Sequence, residues 1–239
     1  LQIRKFRQSY RQFTVEGAKM ATEVLTDGRQ QVEAIFALPE WLEEQAHLLK
    51  RFAGKVTAIS QADLEKISSL STPNQVLLVL RQPEHALENA KVGNELSLYL
   101  ENIQDPGNMG TMLRIADWFG IGWIFLSENC VEAFNPKVVQ ASMGAFLRVK
   151  TLEISLVELK VRFPGLPVFG AVLDGENIFQ AALPPAALLV IGNESKGISA
   201  ELERELTHRV CIPRHEKGGA ESLNAAVAAG IVCAFFRRS

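Results

Sequence analysis

The chain has 239 residues, 47% of them apolar and 22% charged, with a formal net charge of −2. That is enough chain for one large domain or two small ones, and a near-neutral balance excludes a global nucleic-acid signal, so any basic surface must be local. Cys130, Cys211 and Cys233 are far apart, and with the scattered histidines they form no CxxC pair or Cys/His cluster, so neither a disulfide framework nor a metal is expected.

The free thiols fit a reducing, cytoplasmic compartment. The start of the chain carries no signal-peptide core, and the longest apolar run, residues 225–236, is too short to span a bilayer.

Residues 1–15 carry Arg4, Lys5, Arg7 and Arg11 and no acidic residue, interleaved with Phe6, Tyr10 and Phe13. Cations attract phosphates and aromatic rings stack on bases, so this stretch is a candidate RNA contact; the alternative is a solvated helix with an apolar face. Residues 18–26 then read as a helix stopped by Asp27-Gly28, and 32–38 as a strand stopped by Pro39. One helix is expected over 41–52, with Trp41, Gln45, Leu48 and Leu49 near one face. A short strand at 56–59, a helix capped by Ser60 and running to 70, and a buried strand at 76–80 complete the alternation. Strands alternating with helices predict a small α/β/α domain over residues 1–85, followed by a polar linker at 86–94. Nothing in this first domain looks catalytic.

The second half, residues 95–239, repeats one pattern. A strand at 95–103 runs into Gln104-Asp105-Pro106-Gly107-Asn108-Met109-Gly110 and a helix at 111–119, with Arg114 about one turn in. Strand 123–126 follows, then a helix opened by Asn135-Pro136-Lys137 and running to 145, a possible strand at 146–149, and a strand at 168–173. Strand 187–191 runs into Gly192-Asn193-Glu194-Ser195-Lys196-Gly197, and Ser199 caps the next helix. Strand 209–212 leads to a polar loop and to the apolar run ending at Phe236. Ser222 stands where that last helix would begin, as a candidate cap. A helix apolar on all sides must be buried all round.

Three turn-rich loops therefore leave strands and enter helices, the place where α/β folds bind ligands. Their Arg114, Glu194, Ser222, Asn108 and Asn224 could converge on a shared small-molecule site. GxGxxG is absent, and the Lys196 loop is no Walker loop, which argues against a nucleotide-dependent phosphotransferase. A non-enzymatic RNA-binding or ribosome-associated module is the other rival.

Three ordered stretches resemble the SpoU (TrmH-like) family of RNA ribose 2′-O-methyltransferases, in the SPOUT superfamily. They are Pro106-Gly107-Asn108-Met109-Gly110 with Arg114 and Ala116-Asp117; Ile191-Gly192-Asn193-Glu194 with Lys196-Gly197; and Ile212-Pro213 with Glu221-Ser222-Leu223-Asn224. The first domain resembles the substrate-binding domain often found ahead of this one. The resemblance implies a methyl donor, S-adenosylmethionine, held at Gly192, Ile212, Leu223, Ala171, Leu173 and Arg214, the last standing where the family has methionine. It implies catalytic roles for Arg114, Glu194, Ser222, Asn224 and Asn108; Arg4, Lys5, Arg7 and Arg11 of the basic stretch, with Lys137, are the expected RNA contacts. It further implies a deep trefoil knot in the methyltransferase domain, a homodimer formed through that domain, and ribosomal or transfer RNA as substrate.

Overall fold

Two sheets organise the chain, and the structure, a computed structural model, describes residues 1–89 and 92–238. Of the linker expected at 86–94, residues 90 and 91 lie outside the described residues. One unit comprises Leu1–Glu84 with Glu132–Leu147; the other comprises His85–Val131 with Arg148–Ser239.

The first unit runs α1 (Arg4–Tyr10), β1 (Gln12–Glu16), α2 (Ala18–Asp27), β2 (Val32–Ala37), α3 (Pro39–Glu44), α4 (Ala46–Leu49), β3 (Val56–Ala58), α5 (Gln61–Ile67) and β4 (Val76–Arg81). Its sheet order is β1-β4-β2-β3. β4 is antiparallel to both neighbours, while β2 and β3 are parallel. Two local expectations differ. The single helix expected over 41–52 is divided at Gln45, where α3 ends and α4 begins, although Trp41 and Leu49 are both buried. The strand β1 was hidden in the basic stretch: Phe13 and Val15 alternate into the core while α1 ends just before, at a left-handed Arg11.

The second unit runs β5 (Leu96–Leu100), α6 (Pro106–Trp118) and β6 (Trp123–Leu126). After an excursion through α7 (Pro136–Ser142) it continues with β7 (Lys150–Glu153), α8 (Leu156–Arg162), β8 (Val168–Asn177), β9 (Ala187–Ile191), α9 (Ala200–Glu203), β10 (His208–Cys211) and α10 (Ala225–Phe236). The sheet order is β10-β8-β9-β5-β6-β7, and every neighbouring pair is parallel. Its central strands β5, β6 and β9 are buried throughout, which is why they read as continuous apolar runs. Residues 145–147 form a single 3₁₀ turn, and the strand expected at 146–149 begins only at Lys150.

The excursion carrying α7 belongs with the first unit, not with the residues 95–239 that surround it in sequence. Phe134 and Phe146 pack on Phe13, with ring centroids 4.6 and 5.7 Å apart. Val139, Phe146 and Leu147 close the same core. Burying side chains of this kind is worth about 1.5–3 kcal/mol each, so the first unit's core draws on residues a linear domain boundary assigns elsewhere.

The helix α10 departs from its expected burial. Ala226, Ala229, Val232, Cys233 and Phe236 are buried, but Val227 and Ala234 face solvent. Phe236 meets Phe169 edge to face at 5.3 Å, and Gly230 sits beside Ile115 of α6.

Candidate active site

Strand order in the second unit reverses direction at β5: the chain leaves it toward β6 and β7, then returns on its other side through β8 and β9. The crevice at the carboxyl ends of β5 and β9 is therefore a topological switch point, where open α/β sheets bind ligands. Asn102 follows β5 and Asn193 follows β9, and Asn193 Nδ2 donates to the Asn102 carbonyl at 2.8 Å. The backbone amide of Asn102, a residue at φ +53°, donates to Ser127 Oγ at 2.9 Å.

The loop after β9 closes on itself. Asn193 and Gly197 exchange backbone hydrogen bonds of 3.0 and 2.9 Å, and Asn193 Oδ1 accepts from the amides of Ser195 (3.0 Å) and Lys196 (3.1 Å). Gly192 is obligatory here, since a Cβ on it would lie 2.3 Å from the Gly197 carbonyl carbon and 2.4 Å from the Ile198 nitrogen. So tight a turn aims Glu194 back into the crevice.

There Glu194 meets the first turn of α6 and, through it, the start of α10. Its Oε1 accepts from Asn108 Nδ2 at 2.7 Å, and its Oε2 accepts from Asn193 Nδ2 at 3.3 Å. Asn108 Oδ1 in turn accepts from Asn224 Nδ2 at 2.9 Å. Each asparagine is fixed by a helix start. Asp105 caps α6 by accepting from the Asn108 amide at 2.7 Å. Asn224 caps α10, its Oδ1 accepting from the amides of Ala226 (2.9 Å) and Val227 (3.2 Å). This corrects the sequence reading, which gave the cap to Ser222. Asparagine and serine cap equally well, and Ser222 instead lies exposed in the preceding loop.

Arg114 projects from α6 into solvent with no side-chain hydrogen bond or ion pair among the described residues. Asp117, its obvious helical neighbour, is taken by Arg148 at 2.8 Å, and Asp105 by the Asn108 amide. The guanidinium is free for a ligand.

Of the candidate donor positions, Ala171 and Leu173 lie on β8, Gly192 directly after β9, Ile212 and Arg214 after β10, and Leu223 next to the Asn224 cap of α10. β8 leaves its ladder with β10 over residues 171–175, since Arg209 pairs with Gly170 and the next residue, Val210, with Glu176. The strand can return only at glycine, because a Cβ on Gly175 would lie 2.6 Å from the Val210 backbone. This excursion presents Ala171, half-buried, and Leu173, 81% exposed; Leu223 is 45% exposed. Ile212 is half-buried directly after β10. Arg214 is exposed and donates to the Ala220 carbonyl at 3.1 Å, closing its own loop. Uncovered leucines beside strand-end backbone groups fit a flat, apolar group with hydrogen-bonding edges, as the adenosine of S-adenosylmethionine has.

The residues expected from the sequence to contact RNA lie in the first unit. Arg4, Lys5, Arg11 and Lys137 are exposed. Arg7 is not: it is 2% exposed, its guanidinium paired with Glu132 and donating to the carbonyls of Leu1 (2.9 Å) and Gln2 (2.7 Å). It anchors α1 and is withdrawn from any ligand. Sequence reasoning assigned no role to Asn193 or Asn102; the Gly-Asn step, which favours side-chain turns onto following amides, was the available signal.

Residues 95–234 match the model of the SpoU rRNA Methylase family, and residues 1–78 match an MRM3-like substrate binding domain. The chain belongs to the SpoU rRNA methylase family. It is 30% identical, over 73% of its length and 69% of the relative's, to the 23S rRNA (guanosine(2553)-2′-O)-methyltransferase RlmP of Bacillus subtilis. Among solved structures it resembles a TrmH-family protein of Porphyromonas gingivalis, at 36% identity and a TM-score of 0.86, covering 100% of this chain and 94% of that one. It also resembles the AdoMet-bound rRNA methyltransferase of Sinorhizobium meliloti, at 26% identity and a TM-score of 0.88, covering 99% and 91%. The α/β methyltransferase domain and the substrate-binding domain ahead of it are thus those of the SpoU family.

Proposed function

We propose that this SpoU-family chain transfers the methyl group of S-adenosylmethionine to a ribose 2′-hydroxyl of RNA, with ribosomal RNA preferred over transfer RNA. The observation that carries the reading is the hydrogen-bonded series Glu194–Asn108–Asn224, which joins the loop after β9, the first turn of α6 and the cap of α10, far apart in sequence, at the switch point of the sheet. The rRNA substrates named for its relatives support the same choice.

The donor, when bound, supplies an electrophilic methyl group on a sulfonium. Gly192, Ile212 and Leu223 offer backbone groups to hold it, and Leu173 and Ala171 offer apolar cover. Arg114 faces the ribose oxygen. Its planar guanidinium cation presents several donors in a fixed fork to the developing alkoxide. Donors aimed at developing charge are worth about 3–4 kcal/mol each. Arg114 therefore acts first by electrostatic stabilisation and positioning. Glu194 and Asn108 orient the crevice around it, Asn224 ties that arrangement to the start of α10, and Ser222 is available to the substrate.

Arg4, Lys5, Arg11 and Lys137 bind RNA phosphates. A homodimer through the methyltransferase domain covers exposed apolar groups such as Trp118 of α6 and Val227 of α10. The carboxy-terminal chain is knotted as a deep trefoil, and the protein works in the cytoplasm, where its free cysteines stay reduced.

The test is to incubate the protein with ribosomal RNA and methyl-labelled donor, then hydrolyse the RNA with alkali. A 2′-O-methyl group blocks cleavage at its own phosphodiester, so label should be recovered in alkali-resistant dinucleotides. Label recovered only in mononucleotides would mean base methylation and would refute the assignment.

A further inference from the structure

The helix α1 turns two faces in different directions. Inward, Arg7 is buried, and its guanidinium locks the helix to the carbonyls of Leu1 and Gln2 and to Glu132. Outward, Ile3, Phe6 and Tyr10 are 60%, 44% and 58% exposed. Positions three and four apart share one face of a helix, so these side chains form a stripe. The rings of Phe6 and Tyr10 lie within 16° of parallel, with centroids 6.2 Å apart.

Apolar area alone would not name a partner; the charges around it do. Arg4 and Lys5 occupy the first turn of α1, which has no acidic residue, and Arg11 follows its last. Cations at a helix amino terminus oppose the macrodipole. The ion pairs of Arg4 with Glu132 (3.8 Å) and of Arg11 with Glu84 (2.5 Å) are solvent-exposed on the cation side, so each is worth little and can be exchanged for a phosphate. Flat rings flanked by cations match a chain of bases and phosphates, since aromatic faces stack on bases while lysine and arginine follow the backbone. Bases within a duplex already stack on each other and offer no free face, whereas unpaired ones do.

We propose that α1 is a preorganised stacking platform for unpaired RNA nucleotides, with Phe6 and Tyr10 as the rings and Arg4, Lys5 and Arg11 as the phosphate contacts. This rests on the reading of RNA as the substrate. It narrows that substrate to RNA presenting a loop, bulge or single strand to the first unit.

The test uses the full chain and two fluorescein-labelled probes of about 12 nucleotides per strand, an oligoadenylate and an RNA duplex, read by anisotropy. Oligoadenylate should bind more tightly than duplex. Phe6→Leu and Tyr10→Leu, which keep apolar bulk but lose the ring, should each weaken oligoadenylate binding about tenfold. Phe6→Tyr and Tyr10→Phe should restore it. Both residues are exposed, so melting curves of all variants should overlay. A Phe6→Leu/Tyr10→Leu double variant that binds oligoadenylate like the parent, or a parent that prefers duplex, overturns the platform.

Methyl transfer by the unaltered protein, measured in parallel, separates the two readings. Transfer without dependence of binding on the rings removes only the platform. Ring-dependent binding without any transfer removes the enzymatic assignment and leaves the platform standing.

Discussion

Glu194 Oε1 accepts a 2.7 Å hydrogen bond from Asn108 Nδ2 across 86 residues of sequence. Through a second bond at Asn108 Oδ1 the series reaches Asn224, so one asparagine side chain in the first turn of α6 ties together the loop after β9 and the cap of α10. The arrangement fixes the crevice without spending Arg114, whose charge stays available.

Asn108→Ala removes the centre of that series. Hydrogen bonds to charged groups are worth about 1.5–3 kcal/mol, so single-turnover methyl transfer should fall by about 10- to 150-fold. Donor binding by calorimetry should change much less, because Asn108 is not itself one of the candidate donor positions. Equal losses in both measurements would show that Asn108 serves the fold and not the chemistry.

Arg114→Ala should leave donor affinity and melting temperature close to the parent's, since the side chain is exposed and unpaired among the described residues. Transfer should fall by about 100- to 1000-fold, the usual effect of removing a donor to developing charge. Arg114→Lys keeps the charge but not the fork, and should recover part of the rate. A transfer rate near the parent's in Arg114→Ala would end the electrostatic assignment.

Gly192→Ala forces a Cβ into the backbone of Gly197 and Ile198, so the loop must open. Overpacking of this kind costs about 1–3 kcal/mol, which for a chain of this length lowers the melting temperature by about 2–12 °C. Donor binding should weaken with it. Gly219→Ala is the control, because a Cβ there meets nothing within 4 Å, and it should melt like the parent.

Alkaline stability follows from two buried groups of the second unit. Burial pushes the Cys233 thiol from its ordinary value of 9.0 up to about 12, and the Tyr99 hydroxyl from 10.0 up to about 12. The folded state favours both in their neutral forms and the unfolded chain releases their protons earlier. Their contribution is complete below about pH 9 and is lost as pH rises toward 12. Melting temperature should therefore decline between those values, and less steeply in Cys233→Ala. Identical slopes for parent and variant would contradict the assignment.

Much of this was legible in the residues themselves. Gly192 to Gly197 and Ser222 to Asn224 are turn and cap signals whose chemistry is local, so the loops after β9 and before α10 could be placed without coordinates. Pro106 to Gly110, expected as a loop before a helix at 111, are instead the first turn of α6, with Asp105 as its cap and Pro106 at its start. Strands β6 and β9 are buried on both faces and announce themselves as apolar runs. The capping of α5 by Ser60 and of α9 by Ser199 was equally local. Where two neighbours offer the same chemistry, as Ser222 and Asn224 do, local rules cannot choose, and the bond to Asn108 decided.

By itself, then, the sequence determined the buried strands such as β4, β5, β6 and β9, though not β1 or β7, and which polar residues could meet. Only the tertiary structure decided that Asn193 reaches Asn102, that Arg7 is an anchor and not a contact, and that Glu132–Leu147 completes the first unit's core. The reason is one of range. Helix periodicity and capping act over a few residues, whereas a buried guanidinium or a shared core is settled by which distant surfaces exclude water together.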